Sequence, residues 1–123
     1  MMNVYREILP DSYLLILTDT QRTIEAEALQ RALQRAGGSG KVNVWVDCSE
    51  LHHPSTAVIQ LLGEFSVRLH HQRIQLVLCH LESEVRQAVQ QLPAALQPLI
   101  LETLLDASLY CRNLPPPERR SVA

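Results

Sequence analysis

The sequence predicts a small α/β domain: a mixed β-sheet of about four to five strands, with about four helices packed mainly on one face. Three observations predict it. Short stretches in which apolar residues recur every second position alternate with longer stretches in which they recur at helical spacing. Turn-forming clusters, Pro10-Asp11-Ser12 and Gly37-Gly38-Ser39-Gly40, punctuate the alternation. A chain of 123 residues, 46% of them hydrophobic, supports one buried core but not two, and right-handed crossovers between parallel strands would carry the helices to one side of the sheet.

The elements follow in order. Asn3–Ile8 and Tyr13–Leu17 are short β-type runs around the Pro10-Asp11-Ser12 turn and read as an antiparallel pair. Over Thr20–Ala36, Ile24, Ala28, Leu29, Ala32, Leu33 and Ala36 fall at helical spacing, Glu27 and Arg31 stand four apart, and the glycines end the helix. Val42, Val44 and Val46 alternate with Asn43, Trp45 and Asp47, the period of a strand whose two faces differ and which places Asp47 at its carboxyl end. From Ser55 to His71 the period changes, with Val58, Leu61, Leu62, Phe65 and Leu69 on one helical face. Ile74–Cys79 is a further strand, and Leu81, Val85, Ala88, Val89 and Leu92 mark a helix capped by Ser83 and stopped by Pro93. Leu99–Leu101 reads as a short last strand and Leu104–Tyr110 as a final helix. Residues 1–112 then form the single domain, and 113–123, with Pro115-Pro116-Pro117, a flexible tail.

Composition narrows the function classes. Eleven basic and 13 acidic side chains leave a net charge of −2, so no basic field for nucleic acid is visible. No run is long and apolar enough for membrane insertion, and Met1–Pro10 lacks the layout of a signal peptide. Cys48, Cys79 and Cys111, odd in number and without C-x-x-C spacing, fit a reduced compartment, and the expected location is cytoplasmic.

The informative stretch is Lys41–His71, where a strand ending in an acid passes through the turn CSELHHP into a helix opening with Ser55-Thr56. Ligands and partners of open α/β sheets usually meet carboxyl strand ends and adjoining helix amino termini. This order resembles the STAS domain family of bacterial anti-sigma-factor antagonists and sulfate transporters. Those proteins typically read D-L-S-x-V-x-x-x-D-S-S-G-L here, and this chain reads Asp47-Cys48-Ser49-Glu50-Leu51-His52-His53-Pro54-Ser55-Thr56-Ala57-Val58-Ile59. Downstream, Arg73-Ile74-Gln75-Leu76-Val77-Leu78 looks like the family's next strand, and Ser83-Glu84-Val85-Arg86 like its S-P-E-V-R helix start. Ser55 stands where the family usually has Asp, and Thr56 at its phosphorylatable hydroxyl. The resemblance implies a non-enzymatic docking domain that binds an anti-sigma factor with serine-kinase activity and is released by phosphorylation. The alternatives are a constitutive adaptor subunit of a lipid-transport or sensory complex and a small-molecule-binding module.

Thr56 is therefore the candidate phosphoacceptor, with Ser55 second; the competing role for either hydroxyl is to cap the helix. At about 100° per residue, Thr56, Gln60, Gly63 and Val67 project opposite the apolar stripe, with Ile59 on its flank. A glycine inside a helix implies that something packs closely over it, either a partner or neighbouring helices of this chain. The expected partner surface comprises Asp47, His52, His53, Ser55, Thr56, Ile59, Gln60, Gly63 and Val67. His53 could also pair with a phosphate on Thr56. Adjacent histidines do not readily converge on one ion, so no metal or cofactor is expected. A nucleophilic set would have to draw Cys48 or Thr56, His53 and Asp47 from one crowded turn with no oxyanion or phosphate-cradling loop, so no catalysis is expected. A homodimer is left open.

Overall fold

The computed structural model describes residues 2–19 and 26–112. β1 (Met2–Ile8) and β2 (Ser12–Asp19) form the expected antiparallel hairpin, closed by the Leu9 N–H donating to Ser12 O at 2.9 Å. α1 (Ala26–Gly37), β3 (Asn43–Glu50), α2 (Thr56–His71), β4 (Gln75–Cys79) and α3 (Ser83–Gln90) follow. A 3-10 turn at Ala94–Leu96, β5 (Leu99–Leu101) and α4 (Leu104–Arg112) complete the chain. The first part of the helix expected from Thr20 lies outside the described residues, as does the proline-rich tail 113–123.

The five strands lie in the order β1-β2-β3-β4-β5, with β1 antiparallel and the others mutually parallel. Each parallel step is bridged by a helix, as sterically favoured crossovers require. α1, α2 and α3 cover one face, where Leu15, Leu17, Leu33, Val46, Val58, Leu62, Phe65 and Val85 share one buried cluster. Each such fully buried side chain contributes about 1.5–3 kcal/mol. α4 covers the other face, where Ala107 packs with Leu14, Trp45, Val77 and Cys79.

Two expectations change here. The two faces of β3 do not differ in burial: Trp45 is 8% exposed beneath α4, while Val44 and Val46 are buried on the opposite side, and the strand runs on to Glu50 instead of ending at Asp47. A parallel strand covered on both faces carries apolar residues continuously, and the alternation of valines with Asn43 and Asp47 concealed this. Ser83 is the first residue of α3, not its cap; Glu82 holds the N-cap position and makes no side-chain capping bond there.

α2 ends tightly. Ile74 N–H donates to Leu69 O at 2.8 Å and Arg73 N–H to His70 O at 3.0 Å, with Arg73 at φ 64°, the left-handed turn that closes a helix. Because the helices run back against the parallel strands, their amino termini gather at the sheet's carboxyl edge. Exposed Glu27, Glu50, Glu82, Glu84, Glu102 and Asp106 collect there, whereas Arg35, Arg68, His70, His71 and Arg73 lie exposed at the opposite edge. Acids near helix starts and bases near helix ends both complement the helix dipoles. Among the described residues, no helix is long and apolar enough to cross a membrane.

Candidate docking site

The turn from β3 into α2 is held from beneath. Leu51 is fully buried, and its N–H donates to Cys48 O at 3.0 Å, which draws the chain inward. At the carboxyl end of the neighbouring β2, Asp19 is 7% exposed and accepts three backbone contacts from the turn. The His52 N–H lies 2.9 Å from both carboxylate oxygens, and the His53 N–H donates to Oδ2 at 2.7 Å. A carboxylate accepting backbone N–H groups forms short, charge-assisted bonds, so Asp19 fixes the path of the turn. Sequence reasoning missed Asp19. The available signal was that two adjacent parallel strands, SYLLILTD and NVWVDCSE, both carry an acid near their carboxyl ends.

Ser55 then starts α2. Its backbone is extended, at φ −75° and ψ 163°, and its Oγ accepts the Val58 N–H at 3.2 Å. Capping therefore falls to Ser55. Thr56 is the first helical residue, is exposed, and makes no side-chain hydrogen bond among the described residues. Its hydroxyl stands where the free N–H groups and the positive end of the helix dipole meet solvent.

The remaining expected surface residues divide. Gln60 is half-buried and donates through Nε2 to Glu64 Oε2 at 3.3 Å, one turn along the same outward strip. Val67 is half-buried. Ile59 and Gly63 do not face a partner. Ile59 is 6% exposed and belongs to the main core, and a Cβ placed on Gly63 would sit 2.8 Å from Leu96 O and 2.9 Å from Leu92 Cδ1. The close neighbour that Gly63 implied is this chain's own segment after α3, Leu92 and the 3-10 turn. Asp47 also leaves the surface. It follows Trp45 onto the α4 side of the sheet, away from α2, where its Oδ1 accepts the Ser49 N–H at 3.0 Å. The exposed strip is thus Thr56, Ala57 and Glu64 with half-buried Gln60 between them, flanked by the histidine turn.

His52 Nδ1 lies 2.8 Å from Glu82 Oε1, linking the turn to the start of α3. The hydrogen bond to Glu82 raises the His52 pKa above its ordinary value, with Asp19 and Glu50 adding to the upward pull against a smaller opposing effect of burial. An open groove of about 690 Å³ lies here, lined by His52, His53, Leu81, Glu82, Ser83 and Glu84. Cys48 is fully buried, and burial pushes its thiol well above the usual range, so it stays protonated and is sealed from the turn. No group of three or more potential metal ligands converges among the described residues.

The family model for the STAS domain matches residues 19–107. The chain belongs to the STAS domain family. Solved structures share its fold over most of its length. The anti-sigma factor antagonist SpoIIAA in its unphosphorylated form gives a TM-score of 0.72 at 13% identity, covering 91% of this chain and 100% of that one. A serine-to-glutamate variant of RsbS from Moorella thermoacetica gives 0.70 at 14% identity over 88% and 96%. A chain from the stressosome, described as a signal integration and transduction hub, gives 0.66 at 16% identity over 89% and 100%. At these identities the likeness is one of fold. No curated protein matches by sequence. The residues matched by the STAS domain model include the turn and helix start just described.

Proposed function

We propose that this STAS domain is a non-enzymatic, anti-sigma-factor-antagonist-like regulatory module that docks a protein partner through the His52–Thr56 turn and the exposed strip of α2. Phosphorylation of Thr56 is its switch, and the partner is an anti-sigma factor with serine-kinase activity. The observation that carries this reading is the division of labour between two adjacent hydroxyls: Ser55 caps the helix, while Thr56 is exposed beside it. A phosphate on Thr56 would add roughly −1.5 to −2 charge at a helix amino terminus, which tolerates anions, so the fold would persist while the docking surface gained a dense negative charge. Burying that group against a partner would cost desolvation and remove complementarity.

The test is capture from native lysate by wild type, Thr56→Glu and Thr56→Ala, with captured proteins identified by mass spectrometry. Capture of a kinase-like anti-sigma factor by wild type and Thr56→Ala, but not by Thr56→Glu, is the expected result. Equal capture of one partner by all three would instead make the domain a constitutive adaptor, with Thr56 a plain contact.

A further inference from the structure

Two separate anchors hold the docking turn, and they differ in kind. Asp19 grips its backbone from within the sheet, while Glu82 grips the His52 side chain from the neighbouring helix, across 30 residues of sequence. Glu82 has a competing place to go. It occupies the N-cap position of α3 at φ −70° and ψ 161°, the backbone conformation of a capping residue, yet its carboxylate makes no capping bond and reaches His52 instead. An acid there is also favoured by the N–H groups and dipole of its own helix. The two positions of one carboxylate are therefore alternatives, and the charge on His52 weighs between them.

We propose that the His52–Glu82 pair is a pH-gated clasp: with His52 protonated it fastens the docking turn to the start of α3, and with His52 neutral it releases Glu82 toward its own helix terminus and frees the groove side of the turn. The charged and titratable groups around His52 are Glu82 and Glu84 from α3, Asp19 from β2, Glu50 from β3 and the neighbouring His53, whose ring centroid is 6.4 Å away. Glu82 first, then Asp19 and Glu50, favour the protonated ring, and burial opposes it. The sign follows: the folded-state pKa lies above the unfolded value of about 6.5, so the clasp is fully closed below that pH and opens as pH rises through the higher folded value. The consequence for partner binding rests on the docking reading, but the clasp itself needs no partner.

The experiment is an NMR pH titration of the unmodified chain beside Glu82→Gln and Glu84→Gln, reading the His52 and His53 rings and the backbone amides of Ser83 and Glu84. In wild type, the Ser83 and Glu84 amides should titrate with the His52 midpoint, above about 6.5. In Glu82→Gln the His52 midpoint should fall toward that value and the amide titration at the start of α3 should vanish. Glu84→Gln should keep the coupling. An unchanged His52 midpoint in Glu82→Gln would overturn the proposal. So would a lowered midpoint in Glu82→Gln combined with wild-type Ser83 and Glu84 amides that never follow the ring, since that would be a contact without a clasp. Either failure leaves the Thr56 switch untouched.

Discussion

Gly63→Ala is the most discriminating substitution, because two accounts of the outer face of α2 predict opposite signs. On an open helical face, replacing glycine by alanine stabilises by up to about 1 kcal/mol. At Gly63 the added Cβ would meet Leu96 O at 2.8 Å, Leu92 Cδ1 at 2.9 Å and Leu96 Cβ at 3.3 Å. Ordinary carbon contacts lie at about 3.5–4.0 Å, and the nearest of these atoms is a backbone carbonyl that no side-chain rotation can move. Accommodating the methyl therefore means displacing the 3-10 segment, an overpacking cost of about 1–3 kcal/mol that outweighs the helix-propensity gain. The net expectation is a loss of roughly 1–2 kcal/mol, which for a urea slope of about 1–3 kcal/mol/M lowers the midpoint by about 0.3–2 M. Equilibrium urea unfolding followed by circular dichroism reads this directly. A midpoint that rises would refute the reasoning and return Gly63 to the exposed surface.

Asp19→Ala should cost about 2 kcal/mol or more, since the His52 and His53 N–H groups lose their acceptors in a partly buried turn; amide exchange at those two residues should accelerate, and unchanged exchange would show that the turn holds itself. The thiols should react in a fixed order with an aromatic disulfide reagent at pH 8. Burial pushes Cys79 up to about 12 and Cys48 higher still, so both remain neutral and sealed until the domain unfolds, while half-buried Cys111 on α4 reacts first. Rapid labelling of Cys48 or Cys79 in the native state would mean that the sheet opens locally.

The strands and the helix order were legible because short-range periodicity reports them. What a single helix cannot report is what lies over it. The wheel of α2 placed Gly63 outward and Ile59 on its flank, but the cover comes from Leu92 and Leu96, some 30 residues further along the sequence. Asp47 was assigned to the docking surface on its position at a strand end, whereas the pleat sends it to the α4 side with Trp45. Asp19 escaped notice for a related reason. A strand-terminal acid reads as solvated, and only the parallel pairing of β2 with β3 brings it under the turn whose amides it binds. The capping role of Ser55 was among the roles weighed from sequence, because capping depends on local backbone geometry.

The sorting of charge between the two edges of the sheet has a consequence for how encounters begin. The chain's net charge is only −2, yet its carboxyl edge carries exposed glutamates from several elements and its opposite edge exposed arginines. Such a molecule has a weak monopole and a large moment along the strand axis, so a charged body approaching it exerts a torque before it exerts much pull. A positively charged contact surface would find the Thr56 edge already turned toward it, and a negatively charged one would find that edge turned away. Raising ionic strength shortens the reach of this alignment to about one Debye length and slows capture without altering the contacts finally made.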